Sequence, residues 1–225
     1  MFDPAQYHAL TGEQAGLVRQ VARYTEKYFQ DPKFDASHDF DHVLRVTAVA
    51  IKILDKEQQH TKSPYDALTV ILGALMHDID DKKYRSAQVA AVPEAQRELI
   101  HLGLDANQAQ KIQALIDGVS YTSEVKNPQK VRDLLVAIPE LAIVQDADRL
   151  DAIGAIGIGR CFAYGAAKTS RGLSDTVEHF DEKLLKLEKM MKTETGRQLA
   201  VDYTARLKQF KDWWQEEIDF AGSLP

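Results

Sequence analysis

The sequence predicts an all-α protein, and three observations carry that expectation. Apolar residues recur at spacings of three and four through most of the 225 residues, which is the helical period. No segment alternates apolar and polar residues over the length of a strand. No repeat, low-complexity tract or linker interrupts the pattern, and 12 Gly and 7 Pro are too few for a collagenous or Gly/Pro-rich disordered chain.

The elements follow in order. Glu13 to Phe29 places Leu17, Val21, Tyr24 and Tyr28 on one helical stripe, and Asp31, Pro32, Asp35 and Ser37 then break it. A second helix runs from about Asp39 to Gln59 with Val43, Val46, Ala50, Ile53 and Leu54 inward. Ser63 and Pro64 suit the N-cap and first position of a third helix, which is apolar on most sides from Ala67 to Leu75 and so central. Further helices are expected near 93–102, 106–119, 128–137, 139–151 and 153–166. Two long ones close the chain near 174–192, with Leu184, Leu187 and Met191 on one face, and near 195–220, with Leu199, Tyr203, Leu207 and Phe210. The Trp213–Trp214 pair is read as core or interface. The expectation is one domain over 1–225, with the last two helices, about 174–220, packed on as a lobe.

Charge and composition exclude several classes of function. Lys plus Arg is 28 against 34 Asp plus Glu, a formal charge of −6, so a nucleic-acid polymer is not an expected partner. The single cysteine, Cys161, excludes an intrachain disulfide and a cysteine-based zinc motif. The opening MFDPAQYHAL lacks the basic and apolar regions of a signal peptide, and the greasiest run, Ala67 to Met76, is about half the ~20 residues of a membrane span. A cytoplasmic protein with no membrane partner is expected, and a homodimer is allowed.

The seven histidines concentrate the chemistry. His77–Asp78 closes the most apolar helix, where both side chains must find polar partners. A second such pair, His38–Asp39, shows that the dipeptide alone is weak evidence. His42 shares a face with Val46 and Ala50, so it leaves its helix on the core side. Later comes IVQDADRLDAIGAIGIGR, an apolar helix set with carboxylates. His42, His77, Asp78 and Asp146, from three helices, would make a mixed nitrogen and oxygen site suited to a divalent first-row metal. Asp148, two residues from Asp146, falls on the far side of that helix, and Asp151 is left open.

This order of H, HD and D on successive helices resembles the HD-domain superfamily of metal-dependent phosphohydrolases. Three segments carry the resemblance, DHVLRV, ALMHDIDDKK and QDADRLDAIGAIGIGR, within about 38–160, and the last is similar to compact bacterial HD nucleotide pyrophosphatases. The resemblance implies a helical HD-domain bundle, with His42, His77, Asp78 and Asp146 as metal ligands. It also implies hydrolysis of a small phosphorylated substrate by a metal-activated water, above all of a nucleoside triphosphate to monophosphate and pyrophosphate. A nucleoside-monophosphate phosphatase, a cyclic-nucleotide phosphodiesterase and a nucleotide-sensing module with a structural metal are the alternatives. Some HD proteins use extra histidines to hold two metals. Here the next helix offers only His101, read as a helix C-terminal dipole partner, and IDGVSYTSE carries Ser120 and Tyr121, so one ion per chain is expected. Manganese is favoured over Mg, Co, Ni, Fe or Zn.

Around that set, Asp81 is i+4 from His77 and i+3 from Asp78 if the helix continues. Related hydrolases place an acidic residue there beside the bound water, which makes Asp81 the candidate acid/base. The alternative is a helix-end carboxylate paired with Lys82 or Lys83. Lys82, Lys83, Arg85, Arg45 and Arg149 are candidate phosphate cations, although Arg45 and Arg149 could equally orient a ligand carboxylate. Gly154, Gly157 and Gly159 look like a phosphate loop but follow no strand, so close helix packing is the better reading. His8, His60 and His179 are expected at the surface.

Overall fold

A computed structural model describes residues 3–60, 65–79, 92–169 and 172–222. Among them are eleven α-helices and no strand. They are α1 (Gly12–Tyr28), α2 (Phe40–His60), α3 (Ala67–Met76), α4 (Glu94–His101), α5 (Ala106–Val119), α6 (Tyr121–Lys126), α7 (Pro128–Ala137), α8 (Glu140–Asp151), α9 (Gly154–Tyr164), α10 (Leu173–Glu182) and α11 (Glu194–Gly222).

Three helices make the centre, and they are the ones that carry the site. α2, α3 and α8 pack on one another. α3 is buried from Leu68 to Met76, as its continuous apolar run demands, and α2 buries Val43, Val46, Ala50, Ile53 and Leu54 completely. α5 closes the group against α3 and α8. Gly73 permits that approach, since a Cβ there would lie 2.8 Å from Leu115 Cδ2. α1 covers α3, and α11 lies across α9, α8 and α2. Nearly all the buried apolar side chains from Ala5 to Leu207 form one continuous cluster. Among the described residues, no helix is long and apolar enough to cross a membrane.

The structure corrects four local expectations. α1 buries Val18, Val21 and Thr25, and its aromatic stripe sits at the edge of that face. There Tyr24 donates its hydroxyl to Glu94 (2.7 Å) and Tyr28 joins Phe29 and Phe34, as suits amphipathic rings. α3 starts at Ala67, capped by Asp66, whose carboxylate accepts from Leu68 N (3.3 Å) and Thr69 N (3.2 Å); Ser63 and Pro64 lie outside the described residues. The expected helix over 174–192 breaks at Lys183 and continues as a 3₁₀ segment, Leu184–Met190. Leu184 and Leu187 are buried there, because a spacing of three is also the 3₁₀ period. Trp214 stacks on Phe210 while Trp213 is exposed.

The glycines of the 154–159 run serve the turn between α8 and α9. Gly154 has φ +72°, and a Cβ on Gly157 would strike the Ala152 backbone at 2.3 Å. Only two residues therefore separate α8 from α9, and Arg160 of α9 reaches back to α8's last residue, Asp151.

Candidate metal centre

His42 leaves the first turn of α2, where its backbone N–H donates to Asp39 Oδ1 (2.9 Å), the position of an N-capping carboxylate. His77 is the residue after α3, and Asp78 follows it in the turn. Both imidazoles are buried. His77 Nδ1 donates to the Ala74 carbonyl (2.8 Å), one of the orphaned acceptors of the helix end, and His42 Nδ1 donates to Asp151 Oδ2 (2.7 Å).

With both Nδ1 atoms donating, the two Nε2 atoms carry lone pairs, and they face each other 3.2 Å apart. Asp78 Oδ2 lies 3.4 Å from His42 Nε2 and 3.5 Å from His77 Nε2. Asp148 Oδ1 lies a little farther out, 3.6 and 3.7 Å from the same two atoms. Asp78 Oδ2 is buried without a hydrogen bond. Two ligands each ~2.1 Å from one ion at octahedral to tetrahedral angles stand about 3.0–3.4 Å apart, which is the separation of the two imidazole nitrogens. This convergence of acceptors fits a divalent cation.

The electrostatics point the same way. Burial pulls the His42 pKa down, but its hydrogen bond to Asp151 and the nearby Asp78 carboxylate outweigh that and hold it above the ordinary histidine value. Burial likewise opposes ionisation of Asp78, yet the neighbouring His77 and His42 imidazoles hold its carboxyl well below the usual range. The cluster asks for positive charge, and a proton on an imidazole competes with a metal for it.

Asp146 is the main correction. Its carboxylate faces away from the histidines and holds the start of α11, accepting from Lys192 N (2.8 Å), Thr193 N (2.7 Å) and the Thr193 hydroxyl (2.7 Å). Thr193 Oγ1 in turn accepts from Gly196 N (2.9 Å). Burial raises the Asp146 pKa despite these bonds. Asp148, expected on the far side of the helix, is indeed opposite Asp146, and its side is the one with the histidines. Their exposure distinguishes them as well: Asp146 is fully buried, whereas the Asp148 side chain is 27% exposed and so can be reached by substrate.

Arg149 is turned away too. It is buried, donating to the Met190 carbonyl (3.0 Å) and to Glu124, so it ties α6 and the 3₁₀ segment to α8. Arg45 is clamped on Asp151 through Nε (2.8 Å to Oδ1) and Nη2 (3.1 Å to Oδ2). Arg160 adds a fourth donor, Nη1 to Asp151 Oδ2 (3.0 Å), and its Nε donates to the Ser37 carbonyl (2.8 Å). Against the cost of burial, these donors hold the Asp151 carboxyl far below the usual range. Asp151, Arg160 and Asp148 were not legible as site residues, although the i, i+3 spacing of Asp148 and Asp151 puts both on one helix face. Asp81, Lys82, Lys83 and Arg85 lie outside the described residues. His101 ends α4, His8 is exposed and His179 pairs with Glu182 (2.7 Å), all away from the cluster.

Comparison with known proteins agrees with this geometry. The family described as "HD domain" matches residues 39–153. The uncharacterized protein YpgQ of Bacillus subtilis (strain 168) is 34% identical over 205 residues, covering 89% of this chain and 93% of its own. A crystal structure of Bacillus subtilis YpgQ in complex with ADP superposes with a TM-score of 0.71 at 29% identity, covering 91% of this chain and 96% of that one. An HD-superfamily hydrolase from Bacillus thuringiensis gives a TM-score of 0.65 at 25% identity over 92% of this chain and 98% of its own. With a His-His-Asp cluster at the family's matched residues, the chain belongs to the HD-domain family of metal-dependent phosphohydrolases.

Proposed function

We propose that this protein hydrolyses nucleoside triphosphates to monophosphate and pyrophosphate, using one divalent ion, manganese in preference, held by His42, His77, Asp78 and Asp148. The observation that carries the metal reading is the 3.2 Å approach of two imidazole lone pairs beside the unbonded Asp78 Oδ2. Support for a nucleotide comes from YpgQ, whose crystal structure holds ADP.

A divalent ion bound there supplies a low-pKa water and polarises a phosphoryl oxygen. The chain's own residues do the rest. The two histidines are nearly inaccessible at 1% side-chain exposure, against 15% for Asp78 and 27% for Asp148, so substrate approaches over the carboxylates. Asp81 serves as the acid/base for the attacking water, and Lys82 and Lys83, directly after Asp81, hold the β- and γ-phosphates. Neither a serine nor Cys161 takes part, since direct attack of water needs no covalent intermediate.

The test is product analysis over a nucleotide panel with Mn²⁺. Pyrophosphate and monophosphate should appear together from triphosphates. Inorganic phosphate as the first product, or faster turnover of monophosphates, would overturn the substrate assignment in favour of a phosphatase. Metal analysis should return one ion per chain, and two would refute the single-ion reading.

A further inference from the structure

Four donors converge on Asp151. Its Oδ2 accepts from His42 Nδ1 (2.7 Å), Arg160 Nη1 (3.0 Å) and Arg45 Nη2 (3.1 Å), and its Oδ1 accepts from Arg45 Nε (2.8 Å). The side chain is 5% exposed, so the carboxylate is a buried anion balanced by two guanidinium groups. Each arginine adds a constraint of its own. Arg45 is one turn beyond His42 on α2, and Arg160 is also fastened to the Ser37 carbonyl in the turn leading into α2.

We propose that Asp151, gripped by Arg45 and Arg160, is a positioning residue that keeps the His42 proton on Nδ1 and thereby holds Nε2 open as a metal ligand. Neutral imidazole in water favours the proton on Nε2, the tautomer that cannot bind a metal through that atom. A strong acceptor fixed opposite Nδ1 reverses the preference. His77 obtains the same result from the Ala74 carbonyl of its own helix. His42 sits at the opposite end of a helix, where backbone N–H groups and not carbonyls are spare, so its acceptor must come from elsewhere. α8 supplies it, from a residue 109 positions later. The proposal concerns the metal centre alone and is independent of which phosphorylated substrate is hydrolysed.

The substitutions distinguish an accepted hydrogen bond from mere packing. Asp151→Asn keeps a carbonyl oxygen that can occupy the Oδ2 position, where three of the four donors meet. Asp151→Leu keeps the branched shape, though it is bulkier, and has no acceptor. Because Asp151→Leu strands two cations and risks the fold, Asp151→Leu/Arg160→Met is made beside it. Metal affinity is measured by titration of the chelator-stripped chain with Mn²⁺, and the His42 tautomer is read from long-range ¹H–¹⁵N spectra of the same metal-free protein, assigned with His42→Gln. At a pH high enough for the ring to be neutral, the wild type should show His42 with a protonated Nδ1 and a bare Nε2. Asp151→Leu, alone or with Arg160→Met, should shift the proton toward Nε2 and bind Mn²⁺ about 10–100-fold more weakly, the usual loss for a residue that orients a metal ligand. Asp151→Asn should keep the wild-type tautomer and lose less. A wild-type His42 protonated on Nε2 would overturn the proposal without any variant. So would equal losses in the Asn and Leu variants, or wild-type affinity in either folded Leu variant.

Discussion

Asp146 and Asp148 stand two residues apart on α8 and serve opposite sides of it. The first accepts from three donors on Lys192 and Thr193 at the start of α11, while the second lies 3.6 Å from His42 Nε2 and 3.7 Å from His77 Nε2. Two residues span roughly 200° of helix, so one short stretch of chain both anchors the C-terminal helix and presents a carboxylate to the two histidines.

The two carboxylates should therefore fail differently. Asp148→Ala should abolish turnover and metal binding while leaving the melting temperature of the metal-free chain near that of the wild type. Asp146→Ala should keep metal binding and lose about 2–4 kcal/mol of stability, because buried donors left unpaired cost about 1–3 kcal/mol each. Denaturant unfolding and a Mn²⁺ titration of both variants check this. Metal loss in Asp146→Ala with full stability would reverse the assignment.

Gly196→Ala tests the same anchor from the other side. A Cβ there would lie 2.3 Å from Asp146 Oδ2 and 2.7 Å from Thr193 Oγ1. The helix end must shift or Asp146 must give up a donor, and the cost should be about 1–3 kcal/mol, as for other overpacked sites. Activity per folded molecule should stay close to wild type. A variant as stable as the wild type would show that α11 is free to move outward.

Metal-free and metal-loaded protein should respond to pH in opposite directions. The folded state raises the His42 pKa and so favours the protonated ring. Its contribution to the metal-free chain is complete below the unfolded-state value and is lost as pH rises through the raised one. Mn²⁺ binding requires that proton to leave, so apparent affinity should rise with pH over the same window, by up to about tenfold per pH unit for one proton. Asp78, held well below the usual carboxylate range, stays ionised throughout and adds no slope there. Melting curves from about pH 6 to about pH 9, with chelator and with saturating Mn²⁺, should diverge, the loaded protein gaining on the stripped one. Parallel curves would place the linked proton elsewhere.

Replacing both Lys82 and Lys83 with Ala should depress turnover of triphosphates far more than any residual action on monophosphates, since only the longer substrate has β- and γ-phosphates to hold. Asp81→Ala should retain the metal and lower kcat by about 10²–10⁴-fold, the usual range for a lost acid/base. Steady-state kinetics on both substrate classes decide the matter. Equal losses for the lysine pair would count against a triphosphate substrate, and a wild-type kcat for Asp81→Ala would leave that carboxylate outside the chemistry.

Local signals made much of this legible. α5 and α7 span 106–119 and 128–137, as the periodicity predicts, because Asp105 caps one and Pro128 opens the other. The core-side exit of His42 was visible from Val46 and Ala50 alone. The side of α8 that faces the histidines was not, since α8 is buried over most of its surface and its apolar pattern has no exposed face from which to judge direction. What separates Asp146 from Asp148 is a contact with α11 some 46 residues away, and the role of Asp151 depends on His42, 109 residues back. Partners at such distances leave no trace in spacing.

α3 itself offers no chemistry, yet it acts as a ruler. It is anchored at one end by the Asp66 carboxylate and delivers His77 and Asp78 at the other, with every residue from Leu68 to Met76 locked in the core. Adding or removing one residue between those ends would swing the imidazole by about 100° and displace it along the axis by ~1.5 Å. The chain can tolerate changes of apolar shape along this helix far better than a change in its count, so an insertion remote from any ligand would disable the metal centre while leaving every ligand in place in the sequence.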